Sequence, residues 1–448
     1  MINLKELKKT IALAVPIVIG QIGQVGFGIM DNIMVGRLGK VELAAAGFAN
    51  MVTAVPMLFL IGVATAISVM VAQAFGSERN EDTGPYMLAG MFLVLSIISL
   101  MLAFYVFGPD FLPWFDQPEE VLEAVRPYFG FVAWSMLPMA IFQGLRQFSV
   151  GLEKAMWPTA ILFSALGLNF ILNYALIFGN FGAPELGLVG AGWATLIGRI
   201  WMALALIILI FYSVEFEKYR PKALAFTKRH FRPIAKIGLT SGVQYLFEVG
   251  AFVAAGFMSG WIGTTELAAH NVAINVGAFT FMFAWGICFA TGVRVGQAHG
   301  QFDTKLARER GLAGIVLIGI VMTVFGTIII SLRNYIPTLY IDDQDVIKVA
   351  SALLVICAVF QIVDGLQAVA IGALRGISDV IFPSVSTAII YWGITIPCSY
   401  IFAFKFDMGV EGLWWGLTVG LTLASVAMAG RFLYMTRGQP KPGDRGLG

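Results

Sequence analysis

Apolar stretches long enough to cross a bilayer recur nearly end to end along this chain, and that recurrence limits its fold more than any other feature. About 20 apolar residues span the hydrocarbon core as a helix. About twelve such stretches, divided by charged or turn-rich breaks, run over 10–35, 43–75, 86–108, 121–150, 156–180, 187–213, 231–262, 265–298, 307–331, 345–374, 380–405 and 410–436. Of the 448 residues, 58% are hydrophobic and only 12% charged, about half the charged fraction of a soluble domain. In lipid every backbone N–H and C=O must be satisfied internally, so long apolar segments of this kind fold as helices. The sequence predicts an all-α integral membrane protein.

The N-terminus, with Lys5, Lys8 and Lys9, runs straight into the first apolar stretch without a small-residue cleavage site. That predicts a retained first helix rather than a removed signal peptide. Cys288, Cys357 and Cys398 are scattered through apolar segments without metal-like spacing, so they read as small core residues.

Basic residues set the expected orientation. Of the 29 Lys and Arg, 22 fall on one side, including Arg146, Arg294, Arg375 and the run between Glu215 and Lys236; six fall on the other, and Arg199 lies inside the sixth stretch. Both termini and the basic loop of this multi-pass protein are therefore expected in the cytoplasm.

The basic loop also separates two similar halves. Met34-Val-Gly-Arg-Leu-Gly-Lys-Val-Glu-Leu-Ala-Ala matches Met258-Ser-Gly-Trp-Ile-Gly-Thr-Thr-Glu-Leu-Ala-Ala at an offset of 224, as Gln73-Ala-Phe-Gly matches Gln297-Ala-His-Gly. Gly187, Gly190 and Trp193 match Gly409, Gly412 and Trp415 at 222. An even number of helices per half gives both the same orientation. The expected architecture is two six-helix lobes related by a pseudo-two-fold along the membrane normal, as in transporters that rock two bundles about a central site. The expected boundaries are 1–214 for the N-terminal lobe, 215–236 for the linker, and 237–448 for the C-terminal lobe and tail.

Three acids lie deep in the apolar stretches: Asp31, Glu248 and Asp364. A carboxylate at the bilayer centre costs roughly 2.5–3.5 kcal/mol on insertion scales, so its presence marks an ion or substrate pathway. Gln24, Gly28 and Asp31 share one helical face, as do Ser241, Gln244 and Glu248; Gln361 and Asp364 form a third set. Asp31 can bind a cationic ligand or a proton, or serve as an interfacial hydrogen-bonded residue. Glu248 is near mid-span, where a carboxylate with amide and carbonyl oxygens suits a hard cation such as Na⁺; the alternative is a protonated acid bonded to a neighbouring helix. Between helices seven and ten, Glu248 and Asp364 are the expected coupling-cation and Na⁺ ligands. Asn169 and Asn173, four apart, either line a cavity or join helices; Gln24, Gln244 and Gln361 are further cavity candidates. By the repeat, Asp31 maps to Ala255 and Asp364 to Gln143, so the acids break the internal symmetry.

Several phrases together resemble the multidrug and toxic compound extrusion (MATE) family, in its NorM-like branch. They are Asp31-Asn-Ile-Met-Val-Gly-Arg-Leu-Gly, Leu43-Ala-Ala-Ala-Gly, Val71-Ala-Gln-Ala-Phe-Gly, Asn173-Tyr, Gly182-Ala-Pro-Glu-Leu-Gly, Glu266-Leu-Ala-Ala-His-Asn, Arg294-Val-Gly-Gln-Ala and Gly372-Ala-Leu-Arg-Gly. The resemblance covers nearly the whole chain. It implies an antiporter exchanging Na⁺ or H⁺ for bulky, often cationic organic compounds, without a cofactor. It also implies coupling-cation roles for Glu248 and Asp364, and a coupling or drug-binding role for Asp31. Two departures stand out: Asn169 and Asn173 occupy the stretch where another branch carries an acid, and Ala284 stands where many relatives have proline.

Competing readings are a lipid-linked oligosaccharide flippase of the same superfamily and an integral-membrane enzyme. A flippase wants a cationic cavity, whereas the internal charges read as acidic apart from Arg199. No nucleophile motif, catalytic pair or metal-ligand set appears among the three His and three Cys, so no enzyme and no nucleic-acid partner is expected. Glu266-Leu-Ala-Ala-His270 lacks the order of a zinc-protease motif. Asp342-Asp-Gln-Asp345 suits a helix N-terminus, and Gly372/Gly376 and Gly412/Gly416 read as helix-packing pairs.

Overall fold

The computed structural model describes residues 4–107, 110–223 and 225–438. The chain ends expected in the cytoplasm at 1–3 and 439–448, and residue 224 of the expected linker, lie outside the described residues. Twelve helices are long and apolar enough to cross a membrane, and no strand occurs among the described residues. The first six are α1 Leu4–Gly36, α2 Lys40–Gly76, α3 Asn80–Phe107, α4 Glu119–Gly151, α5 Met156–Phe178 and α6 Gly187–Tyr212. The second six are α7 Lys228–Ile262, α8 Thr264–Gly300, α9 Thr304–Leu332, α10 Gln344–Gly376, α11 Ile381–Lys405 and α12 Gly409–Met435.

Helix starts depart most from expectation. α1 begins at Leu4 rather than 10, and α3 at Asn80 rather than 86. Charged residues were treated as breaks, yet Lys and Glu are good helix formers, and Glu81 and Asp82 suit the positive end of α3. The acidic run before α10 behaves as expected: Asp343 caps the helix by accepting from the N–H groups of Asp345 (2.9 Å) and Val346 (3.1 Å). Glu266–His270 forms the first turns of α8, where the buried His270 accepts from Trp414 Nε1 at 3.2 Å. α8 runs unbroken through Ala284. α11 widens into π-helical turns at Tyr391–Thr395 and Ile401–Lys405. Pro397 lacks an N–H and crowds the preceding turn, which accounts for the first widening.

The chain divides into two compact units: Ile19–Gly242, and Val243–Gly448 together with Met1–Val18. Each helix at the start of a repeat, α1 or α7, is therefore shared between the two. Within the first unit α4 packs against α2, α3 and α6; within the second, α10 packs against α8, α9 and α12. Lipid gives no hydrophobic drive for helix pairing, so close contact rests on small residues. A Cβ on Gly372 would fall 2.5 Å from the Cys288 carbonyl oxygen of α8, and one on Gly376 2.6 Å from that of Gly292. Gly412 and Gly416 are pressed in the same way against Phe402 and Ser399 of α11. Polar side chains on α4 and α10 are buried because these helices are central.

Helix ends fix the repeat register. α2 and α8 both finish with a residue in the left-handed region, Glu78 (φ 60°) and Phe302 (φ 57°), followed by bonds from Arg79 N to Ala74 O and Asp303 N to Ala298 O, each 3.0 Å. Their offset is 224. α4 and α10 finish identically at Glu153 (φ 60°) and Ser378 (φ 61°), an offset of 225. This Schellman-type closure satisfies the last carbonyls. It also corrects one alignment: Asp364 corresponds to Met139, not Gln143. A four-residue slip of this kind preserves the helical face, so side-chain pattern alone does not reveal it.

Candidate functional site

In the first unit, the sequence-predicted Asp31, Asn169 and Asn173 come together. Asn173 Nδ2 donates to Asp31 Oδ1 at 2.6 Å and also lies 3.0 Å from Asn169 Oδ1. Thr195 Oγ1 of α6 donates to Asp31 Oδ2 at 3.1 Å. Arg199 and Tyr128 act electrostatically on the same carboxylate. Arg199 is itself anchored by donating to Ser135 Oγ at 2.7 Å. Both oxygens of Asp31 thus have protein donors and a guanidinium nearby. Gln24, expected on the Asp31 face, instead accepts from Arg146 Nη1 at 3.3 Å, beside the 2.7 Å bond from Arg146 Nη2 to Gln21 Oε1.

In the second unit the picture is different. Glu248 of α7 and Asp364 of α10 are both buried, at 9% and 7% exposure, and act electrostatically on each other. Among the described residues Glu248 makes no hydrogen bond or ion pair, and the buried Oδ1 of Asp364 has no partner. Tyr391 of α11 faces both acids and exchanges hydrogen bonds with Gln367 at 2.9 and 3.2 Å. Gln361 donates to the Met322 carbonyl at 3.4 Å, leaving its own Oε1 unpartnered, and the buried Gln244 Nε2 is also unpartnered. A buried charge is costly without a counter-charge and hydrogen bonds. This group of unfilled oxygens fits a cation or a transferable proton, and Gln361 Oε1 and Tyr391 Oη add neutral oxygens.

Sequence reasoning counted three arginines as basic residues of one side without foreseeing their burial. Arg146, Arg294 and Arg375 are buried within their helices, at 7%, 1% and 4% exposure. Each lies near the C-terminal end of its helix. The internal charges are therefore not acidic apart from Arg199. Arg294 donates to both the carboxylate and the backbone carbonyl of Glu6 and to Thr10 Oγ1 (2.6 Å). Arg375 joins the Glu248 group: its Nη1 donates to Tyr245 Oη at 3.4 Å, its guanidinium lies 5.4 Å from the Tyr245 ring centroid, and it acts electrostatically on Glu248. The sequence signal for it was its place in Gly372-Ala-Leu-Arg-Gly, a phrase read only for packing and resemblance.

Among the described residues, twelve helices able to span a membrane, in two repeats and with buried acids within them, define a polytopic membrane protein of transporter architecture. The MatE family model matches residues 16–175 and again 241–401, one match per repeat, and the chain belongs to this family. It is 35% identical over 435 residues to the multidrug resistance protein NorM of Burkholderia vietnamiensis, covering 94% of this chain and 93% of that one. It is 31% identical over 431 residues to a probable multidrug resistance protein NorM of Xylella fastidiosa strain 9a5c, covering 95% and 92%. In fold it resembles the solved eukaryotic MATE transporter AtDTX14, with a TM-score of 0.85 at 21% identity over 97% of this chain and 98% of that one.

Proposed function

We propose that this protein is a secondary active multidrug exporter, in which Na⁺ or H⁺ moves inward and an organic, often cationic, compound moves outward. The relatives' multidrug resistance names support the substrate class. One observation carries the placement of the coupling ion: among the described residues Glu248 makes no hydrogen bond and the buried Oδ1 of Asp364 has no partner, whereas both oxygens of Asp31 are bonded. The coupling cation therefore binds at Glu248 and Asp364, with Gln244 and Gln361 nearby. Asp31, with Asn169 and Asn173, acts on substrate or on a proton. Gln24, a cavity-lining candidate, also accepts from Arg146. The two halves serve as lobes joined through 215–236, with the termini cytoplasmic in a bacterial inner membrane.

One charge crossing 100 mV releases about 2.3 kcal/mol, which sustains more than a tenfold gradient of a neutral compound at about 1.4 kcal/mol per decade. Coupling requires that cation and substrate favour different conformations. The buried Arg146 and Arg375, beside the half-buried Arg199, give the flippase reading more basis than the sequence had offered. However, Arg146 and Arg199 are held by Gln21, Gln24 and Ser135, which leaves them less available to a diphosphate. The test is ethidium transport in proteoliposomes with a Na⁺ or a pH gradient imposed separately. Transport driven by one gradient and abolished by Asp364→Asn is expected. Equal rates without either gradient, or wild-type rates in Asp364→Asn, refute the reading.

A further inference from the structure

We propose that Arg375 is a tethered counter-cation that limits the Glu248–Asp364 site to one positive charge per cycle. This rests on the coupling-cation reading above and deepens it. Arg375 lies on α10, one helix with Asp364, and is 4% exposed. No carboxylate bridges it among the described residues, and its Nε has no partner. Its fixed contacts are the Tyr245 hydroxyl and the face of the Tyr245 ring. Tyr245 is three residues from Glu248 on α7, so it holds the guanidinium beside that acid without neutralising it. Arg375, Glu248 and Cys288 act on one another electrostatically, and Glu248 in turn acts on Asp364. Two carboxylates and one guanidinium leave a formal charge of −1, which a monovalent cation or one proton balances.

The repeat shows what the arginine does. At the offset of 224, Gln21 and Gln24 correspond to Tyr245 and Glu248. In the first unit Arg146 of α4 donates to Gln21 and Gln24; in the second, Arg375 of α10 bonds Tyr245 and acts on Glu248. An arginine from the central helix thus meets the same two positions in both repeats. In the first it meets neutral amides and leaves a positive charge. In the second it meets an acid, with Asp364 added, and the balance turns negative. A cation as strongly charged as Ca²⁺ would overfill the second site, so the arginine selects for single charge as well as limiting number.

The test is equilibrium binding of radiolabelled Na⁺ to the purified full-length protein at fixed pH, with Ca²⁺ as competitor. Wild type and Arg375→Lys should bind one Na⁺ per chain, with Ca²⁺ competing poorly. Glu248→Gln brings the site to zero charge and should weaken Na⁺ binding about tenfold or more. Adding Arg375→Met to Glu248→Gln restores −1 and should recover most of that loss. Arg375→Met alone leaves −2 and should let Ca²⁺ displace Na⁺ at about tenfold lower concentration. The double variant keeps the inference testable even if Arg375→Met alone folds poorly. A double variant binding no better than Glu248→Gln overturns the counter-cation role while leaving the site in place. Na⁺ binding unaffected by Asp364→Asn removes the site itself, and the inference with it.

Discussion

Glu6 offers a stability test whose size follows from burial. Its carboxylate accepts from Arg294 Nη2 and from Arg310 Nε (3.1 Å), within the second unit. Glu6 is 6% exposed and Arg294 1%. Arg310 also donates to the Arg294 carbonyl at 2.8 Å, closing the cluster. Glu6→Ala leaves two guanidinium groups without their shared anion, and removing one partner of a buried pair costs about 3–5 kcal/mol. Glu6→Gln keeps an acceptor oxygen but not the charge, and should cost about 1–3 kcal/mol. The control is Asp110, whose 2.7 Å pair with Arg126 has side chains 47% and 52% exposed; exposed pairs are worth about 0–1 kcal/mol, so Asp110→Asn should change little. Equilibrium unfolding in mixed detergent micelles orders the three variants. If Glu6→Ala unfolds at the same denaturant level as Asp110→Asn, the cluster does not hold α1 to its unit and the burial argument fails.

Other outcomes follow from the same structure. Cysteines placed at Lys5 and Arg437 should react only with membrane-permeant reagents in intact cells, and labelling of either from outside would contradict the cytoplasmic termini. Gly420 of α12 faces α11 so closely that a Cβ there would fall 1.7 Å from Thr395 Oγ1; Gly420→Ala should cost about 1–3 kcal/mol by overpacking, read as a lower unfolding midpoint. Cys357, fully buried and directed at the Ala273 carbonyl, should resist maleimide until the protein unfolds, and labelling of the folded protein would show that α8 and α10 part there.

The helices were legible because a membrane span is written in composition: apolar length alone identifies it. The repeat was legible because the turn phrase Gly-x-x-Glu-Leu-Ala-Ala persists in both copies. Asp31 with Asn169 and Asn173, and Glu248 with Asp364, were legible as polar residues in apolar surroundings. Which of these acids had partners was not, because Thr195, Arg199 and Tyr391 come from other helices and no periodicity relates them. The burial of Arg146, Arg294 and Arg375 was not legible, because it is packing from other helices that buries an arginine near a span's end. The Asp364 alignment failed because Gln143 lies four residues from the true counterpart on the same helical face, and only the backbone closures at Glu153 and Ser378 fix the register.

The central claim, that the coupling cation binds in the second unit and not at Asp31, is tested most directly by cation binding to purified Glu248→Gln and Asp31→Asn, followed through the cation-induced change in tryptophan fluorescence. Glu248→Gln removes a negative charge from the site, so it should weaken binding about tenfold or more, equivalent to at least 1.4 kcal/mol. Asp31→Asn removes a carboxylate already bonded to Asn173 and Thr195, and should leave cation affinity within about twofold of wild type while altering substrate affinity or release. Retained cation binding in Glu248→Gln together with its loss in Asp31→Asn would reverse the assignment and place the coupling site in the first unit.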